Sequence, residues 1–163
     1  PSVFASILDA DRGGSWELAA DVPARTRQFY FPDTNVLITR FYAADGVAEI
    51  QDFMPVFDES REASRHRLIR RVICVRGTLP FRARVAPRFG YAAEPHTVRA
   101  QAHEAVFESP SLSLALSSTA PLEADGSDVT AISLRTNASA GACRAVRCSS
   151  GSSRNAANRW WLT

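Results

Sequence analysis

The chain has no lysine: all 19 of its basic residues are arginine. A GC-rich coding sequence accounts for that bias more simply than selection for bidentate contacts, so it carries no functional weight. Cysteine is scarce as well. Cys74, Cys143 and Cys148 are an odd number without metal-ligand spacing, and one Cys-x4-Cys pair with no second pair gives zinc little support. Reduced thiols in a cytoplasmic setting are the expectation, with no cofactor and no metal. No apolar run reaches the length of a membrane span, and the opening Pro-Ser-Val-Phe-Ala has no basic stretch before an apolar one. Neither membrane insertion nor a secretory signal is expected. The Gly-x-Ser-x-Gly elbow, the P-loop and the Gly-x-Gly-x-x-Gly fingerprint are all absent. His103-Glu104 opens a zincin-like pattern, but Phe107 stands where the second histidine would be.

What is present is strand period. At 163 residues, with 45 % hydrophobic and 22 % charged residues, the chain has the size and balance of one globular domain. Alternation predicts strands over 15–20, 26–31, 34–44, 47–54, 67–76, 79–87, 97–108, 112–118 and 129–135. Asp45-Gly46, Arg76-Gly77, Gly90-Tyr91, Glu94-Pro95, Ser109-Pro110 and Asp125-Gly126 supply the turns between them. Many short strands with regular turns predict an all-β, antiparallel sandwich. One short helix is expected at the start, with Ser2 as N-cap, Val3, Phe4, Ile7 and Leu8 on one side and Gly13-Gly14 as the stop.

The stretch "PDTNVLITRFYAADGVAEIQDFMP" reads as a hairpin with Asp45-Gly46 as a two-residue type I′ loop. That register sets Phe41 against Ile50, Leu37 against Met54 and Arg40 against Gln51, with Arg40 diagonal to Glu49. Glu49 and Asp52 could serve as paired acid and base, but adjacent strand positions favour a surface role. Trp16, after Gly-Gly-Ser at a strand start, reads as core. His66, His96 and His103 read as solvated.

Charge is unevenly placed. Residues 1–136 hold 15 Arg and 17 acids, a net −2, and the four Arg of 137–163 supply the overall +2. Arg65–Arg88 contains eight Arg and no acid. It reads either as a nucleic-acid patch or as a hairpin whose Arg pair with an otherwise acidic domain, and the net acidity favours the second. The final segment, "NASAGACRAVRCSSGSSRNAANRWWLT", loses strand alternation and gains small residues. Its composition is that of an out-of-frame read of GC-rich DNA or of a disordered tail.

Four stretches carry a family resemblance: "PSVFASILDADRGGSWEL", "FPDTNVLITRFYAADGVAEIQDFMPV", "RLIRRVICVRGTLPFRARVAPRFGYA" and "AVFES". In this order and spacing, over residues 1 to about 135, the chain closely resembles the trehalase-like N-terminal domain of bacterial glycoside hydrolase family 15 proteins. That family includes glucoamylases, glucodextranases and trehalases. The resemblance implies a supersandwich-like β-sandwich over 1–136, packed on a C-terminal (α/α)6 barrel that would be its partner. Two Glu of that barrel would perform inverting hydrolysis of an α-glucosidic bond. Neither Glu maps onto this chain, so no catalytic residue is expected here. Asp33, Thr34 and Asn35, at a strand start, are the candidate loop beside the substrate, against a turn-capping role. Family members begin with strands ahead of "PSVFA", so the resemblance also implies a sandwich incomplete at its N-terminus and an anomalous tail over 137–163. A free-standing carbohydrate- or protein-binding module is the competing reading. Nucleic acid and membrane are not expected partners.

Overall fold

The computed structural model describes residues 2–56, 67–137 and 144–151. The fold is all-β and antiparallel. Its strands are β1 (Ser15–Ala20), β2 (Arg25–Tyr30), β3 (Leu37–Ala43), β4 (Gly46–Phe53), β5 (Arg67–Ala86), β6 (Thr97–Gln101), β7 (Glu104–Glu108), β8 (Ser113–Ser118), β9 (Glu123–Asp125), β10 (Asp128–Asn137) and β11 (Arg144–Gly151). Two sheets share β5. Its first half lies between β4 and β11 in the order β2-β3-β4-β5-β11-β8-β7-β6. Its second half lies between β1 and β10, with β9 beyond β10.

A single core joins the sheets into a sandwich. Trp16, Leu18, Phe81, Val85 and Val129 from one sheet meet Phe41, Ile50, Val72, Phe107 and Leu116 from the other. Phe41 and Phe81 meet edge to face across the interface, centroids 5.3 Å apart at 87°, the geometry that ring quadrupoles favour.

The expected turn at Arg76-Gly77 is not a chain reversal. β5 runs through it for 20 residues. Gly77 has φ 70°, and a Cβ there would lie 2.9 Å from Gly46 Cα, with the Asp45 carbonyl closer still. The bend that this left-handed residue permits carries the strand from one sheet into the other. Gly46 sits opposite Gly77, where a Cβ would meet the Arg76 carbonyl oxygen at 2.5 Å. Glycine there answers to close approach rather than to a I′ turn. The β3–β4 hairpin accordingly closes one residue earlier on each strand than expected, which moves every partner by two, with Ala43 opposite Gly46, Phe41 opposite Ala48 and Arg40 opposite Glu49. A two-residue slip preserves the faces, so the core alternation stands while the partners change.

The short N-terminal helix is not formed. Ala5 N–H donates to the Gly13 carbonyl at 2.6 Å and Ser6 N–H to that of Gly14 at 3.1 Å. Asp9 Oδ1 takes the amides of Asp11 and Arg12 at 3.0 and 2.9 Å. These bonds satisfy the backbone as a closed loop, the competition by which Asp side chains oppose helix. Phe4 packs on Trp16, centroids 6.2 Å apart, while Ile7 and Leu8 stay exposed.

The span 97–108 is a hairpin rather than one strand, with Gln101 opposite Glu104. Its Ala102-His103 loop lacks Gly and Pro and is held from outside: Leu122 N–H donates to Ala102 O at 2.6 Å and Ser118 N–H to His103 O at 2.8 Å. Within the tail, Arg144–Gly151 forms β11, paired with β5 and β8. That pairing puts a strand where the sequence shows no alternation. His66, residues 138–143 and residues 152–163 lie outside the described residues.

Candidate functional site

Strand β3 begins at Leu37 opposite Asp52 of β4, so the chain before Leu37 and the chain after Asp52 leave the sheet at the same end. Between β2 and β3 the chain reverses through Phe31-Pro32-Asp33-Thr34. Thr34 N–H donates to the Phe31 carbonyl at 3.1 Å, and Asp33 sits at φ 57°. Pro at the second position and positive φ at the third define a type II turn, at a position where Asp is among the tolerated residues. Thr34 Oγ1 donates to Phe31 O at 2.8 Å and accepts from Val36 N–H at 3.2 Å, which locks the far side. The Thr34 hydroxyl is therefore committed to the turn. The Asp33 and Asn35 side chains are exposed and make no side-chain hydrogen bond among the described residues.

This turn forms one wall of an open cleft of about 890 Å³ whose other wall is Phe53–Val56. The rim is apolar and wet: Tyr30 is 64 % exposed, Phe31 53 %, Met54 58 % and Val56 89 %. Exposed apolar patches of this kind mark docking or ligand surfaces. The three candidate loop residues thus fall on one cleft wall. The expected hairpin, with Leu37 against Met54, already set the two walls side by side; what the sequence did not mark is Val56 and the cleft between them.

The remaining polar groups are committed to structure. Glu49 is buried and bonded to Arg40, whose Nε lies 2.7 Å from Glu49 Oε1. That bond, the largest influence, raises the Arg40 guanidinium above its ordinary value. Asp52 takes a fork from Arg70, Nε to Oδ1 at 2.9 Å and Nη2 to Oδ2 at 3.2 Å. The same guanidinium donates to the Trp16 carbonyl at 2.5 Å and lies over its ring, 5.5 Å from the centroid. Trp16 is core, and its Nε1 is buried without a partner among the described residues. Neither Glu49 nor Asp52 is left unpaired, as an acid–base couple would need. From the Arg-rich window, Arg82 pairs with Asp21 at 3.7 Å, and Arg84 and Arg88 share Asp128 at 2.7 and 2.8 Å.

His96 is not solvated as expected. It is half-buried between Phe89 and Phe107, with centroids 5.2 and 6.0 Å away. Its Nε2 lies 2.9 Å from the Ser127 carbonyl. Glu94 accepts from Ser111 Oγ at 2.6 Å and Ser109 Oγ at 3.1 Å. The Ser111 bond leads in holding its carboxyl below the ordinary value. The serines meet a carboxylate there, while the His96 imidazole is bound to a backbone carbonyl instead of a hydroxyl, so the described residues form no Ser–His pair. His103 is exposed. No group of three His, Cys, Asp or Glu that could hold a metal occurs among the described residues. Among them, no helix is long and apolar enough to cross a membrane.

A scan against protein-family models finds no match. A search of the curated proteins likewise finds no relative.

Proposed function

We propose that this chain is a non-catalytic accessory β-sandwich of a family 15 glycoside hydrolase-like protein, acting in the cytoplasm. It would buttress an (α/α)6 barrel that carries the hydrolysis of α-glucosidic bonds, without cofactor. The observation that carries the reading is the open apolar cleft between the Asp33 turn and Phe53–Val56, a surface suited to docking. The quoted motifs supply the family. The turn would reach the rim of the barrel's substrate pocket, with Asp33 and Asn35 presenting polar groups to a glucoside. Lone-module sugar binding gains less support: the close ring pairs among the described residues involve Phe4–Trp16, Phe41–Phe81 and the His96 stack, none of them on the cleft.

The test is reconstitution. The purified chain is mixed with a separately expressed family 15 barrel, and association is followed by gel filtration. Co-elution is expected, lost in Phe31→Ser and Met54→Ser. Asp33→Ala should raise the KM of the reconstituted pair for maltose severalfold and leave kcat unchanged. Release of glucose from maltose or trehalose by the chain alone would overturn the reading, and so would failure to associate.

A further inference from the structure

The edge strand β2 holds an unusual position. All six of its residues are exposed, and among the described strands β3 alone pairs with it, which leaves its other edge without a described strand. Its backbone polarity can be assigned residue by residue. Phe31 N–H donates to Val36 O at 2.9 Å, and 31 opposite 36 continues the register in which Phe29 faces Ile38 and Arg27 faces Arg40. Hydrogen-bonded pairs alternate in an antiparallel ladder. Arg25, Arg27 and Phe29 therefore bond inward to β3. Thr26, Gln28 and Tyr30 turn their N–H and C=O groups outward.

The side chains add charge to that free edge. Arg25 and Arg27 project on the face away from the core, two residues apart. Arg27 stands directly opposite Arg40, a like-charge juxtaposition that costs stability. Arg40 is neutralised by Glu49. Arg25 and Arg27 have no carboxylate partner among the described residues. β2 thus offers three free backbone rungs and two uncompensated guanidinium groups at strand period.

We infer that β2 is a strand-addition site for an extended segment of a partner protein that carries acidic residues at alternate positions. Thr26, Gln28 and Tyr30 supply the ladder, and Arg25 and Arg27 read the carboxylates. A second copy of this chain is the wrong occupant. Two β2 edges laid antiparallel through Thr26, Gln28 and Tyr30 would pair Arg27 of one with Phe29 of the other and leave the two Arg27 as diagonal neighbours on one face, a like-charge contact. Charge on an edge strand is the usual guard against such self-pairing. Apart from Tyr30, which also lines the cleft, this edge is separate from the surface that the accessory-domain reading uses.

The experiment uses the full chain and a capped eight-residue peptide alternating Glu with Val, titrated by fluorescence anisotropy. Amide hydrogen exchange is followed by NMR. Saturable binding is expected, with at least tenfold slower exchange at Thr26, Gln28 and Tyr30 and little change at Arg25, Arg27 and Phe29, which are already bonded. Replacing the peptide's Glu by Lys should weaken binding at least tenfold, as should Arg27→Glu in the protein. N-methylation of alternate peptide amides should abolish it. Arg27→Ala, which only removes an exposed side chain, provides a second variant with an expected loss of threefold or more. Equal affinity for the Lys peptide, or binding without protection at those three amides, would overturn the proposal. Protection of the same amides by self-association in the absence of peptide would overturn it in favour of a second copy.

Discussion

Asp128 is the most buried acid among the described residues. It is 5 % exposed and takes Arg84 Nη2 at 2.7 Å, Arg88 Nη1 at 2.8 Å and Ser127 Oγ at 3.3 Å. Burial pushes its pKa up, but the bonds and charges of Arg88 and Arg84 outweigh burial and leave it below the ordinary 3.8. A carboxyl lowered in the folded state stabilises the fold at pH values above its unfolded pKa. That contribution fades as pH falls through the folded value. Asp128→Asn is therefore expected to cost about 1.5–3 kcal/mol at pH 7, the range for hydrogen bonds to charged groups. The partial exposure of both arginines lets water solvate them in the variant and keeps the loss near the lower end. Urea midpoints of the two proteins should converge as pH drops below about 4. A gap that stays constant down to pH 2 would show that the carboxylate's charge is not what matters.

Two glycines of β5 and the β9–β10 turn separate conformational strain from collision. Gly77 and Gly126 have φ of 70° and 61°. A Cβ at Gly126 meets nothing within 4 Å, whereas one at Gly77 runs into the backbone of Asp45 and Gly46. Gly126→Ala should cost only the left-handed penalty, about 1 kcal/mol. Gly77→Ala must also part β5 from the β3–β4 hairpin, and should cost about 2 kcal/mol more. Thermal unfolding of both variants measures the difference, and equal losses would refute the bend assigned to Gly77. At this scale the sequence was informative about alternation and weak about continuity. Arg76-Gly77 has turn chemistry, yet the strand bends there without reversing, at a point where Gly77 faces Gly46 with room for neither side chain. Ala102-His103 has no turn chemistry, yet the chain reverses there, held by amides of Ser118 and Leu122 that are distant in sequence.

The molecule is held together by a core to which both sheets contribute. Phe81 has no exposed surface and touches Phe41 of the facing sheet. Phe81→Ala removes the ring and leaves a cavity between the layers, a change that typically costs about 3–5 kcal/mol. If the sandwich unfolds as a unit, hydrogen-exchange protection in β1 and in β3 should fall by the same amount. Loss confined to β1 and β10 would show instead that the sheets unfold separately.

The sequence by itself determined the class of fold, because period-two alternation with turn residues is a local property written into 15–20, 79–87 and 112–118. It also marked Asp33, Thr34 and Asn35, since Pro-Asp-Thr-Asn is turn chemistry wherever it occurs. Only tertiary structure decided the pairings. Arg40 meets Glu49 rather than Gln51 because close packing at Gly46 shifts the hairpin. The N-terminal segment closes into a loop because Asp9 and the carbonyls of Gly13 and Gly14 outbid a helix for the same amides. A cleft exists beside the Asp33 turn because β3 and β4 start and stop together. These contacts are short in sequence, Asp9 with Asp11 and Arg12 and Arg40 with Glu49, yet each is a choice among competing partners that the packed structure decides and that period-two alternation does not encode.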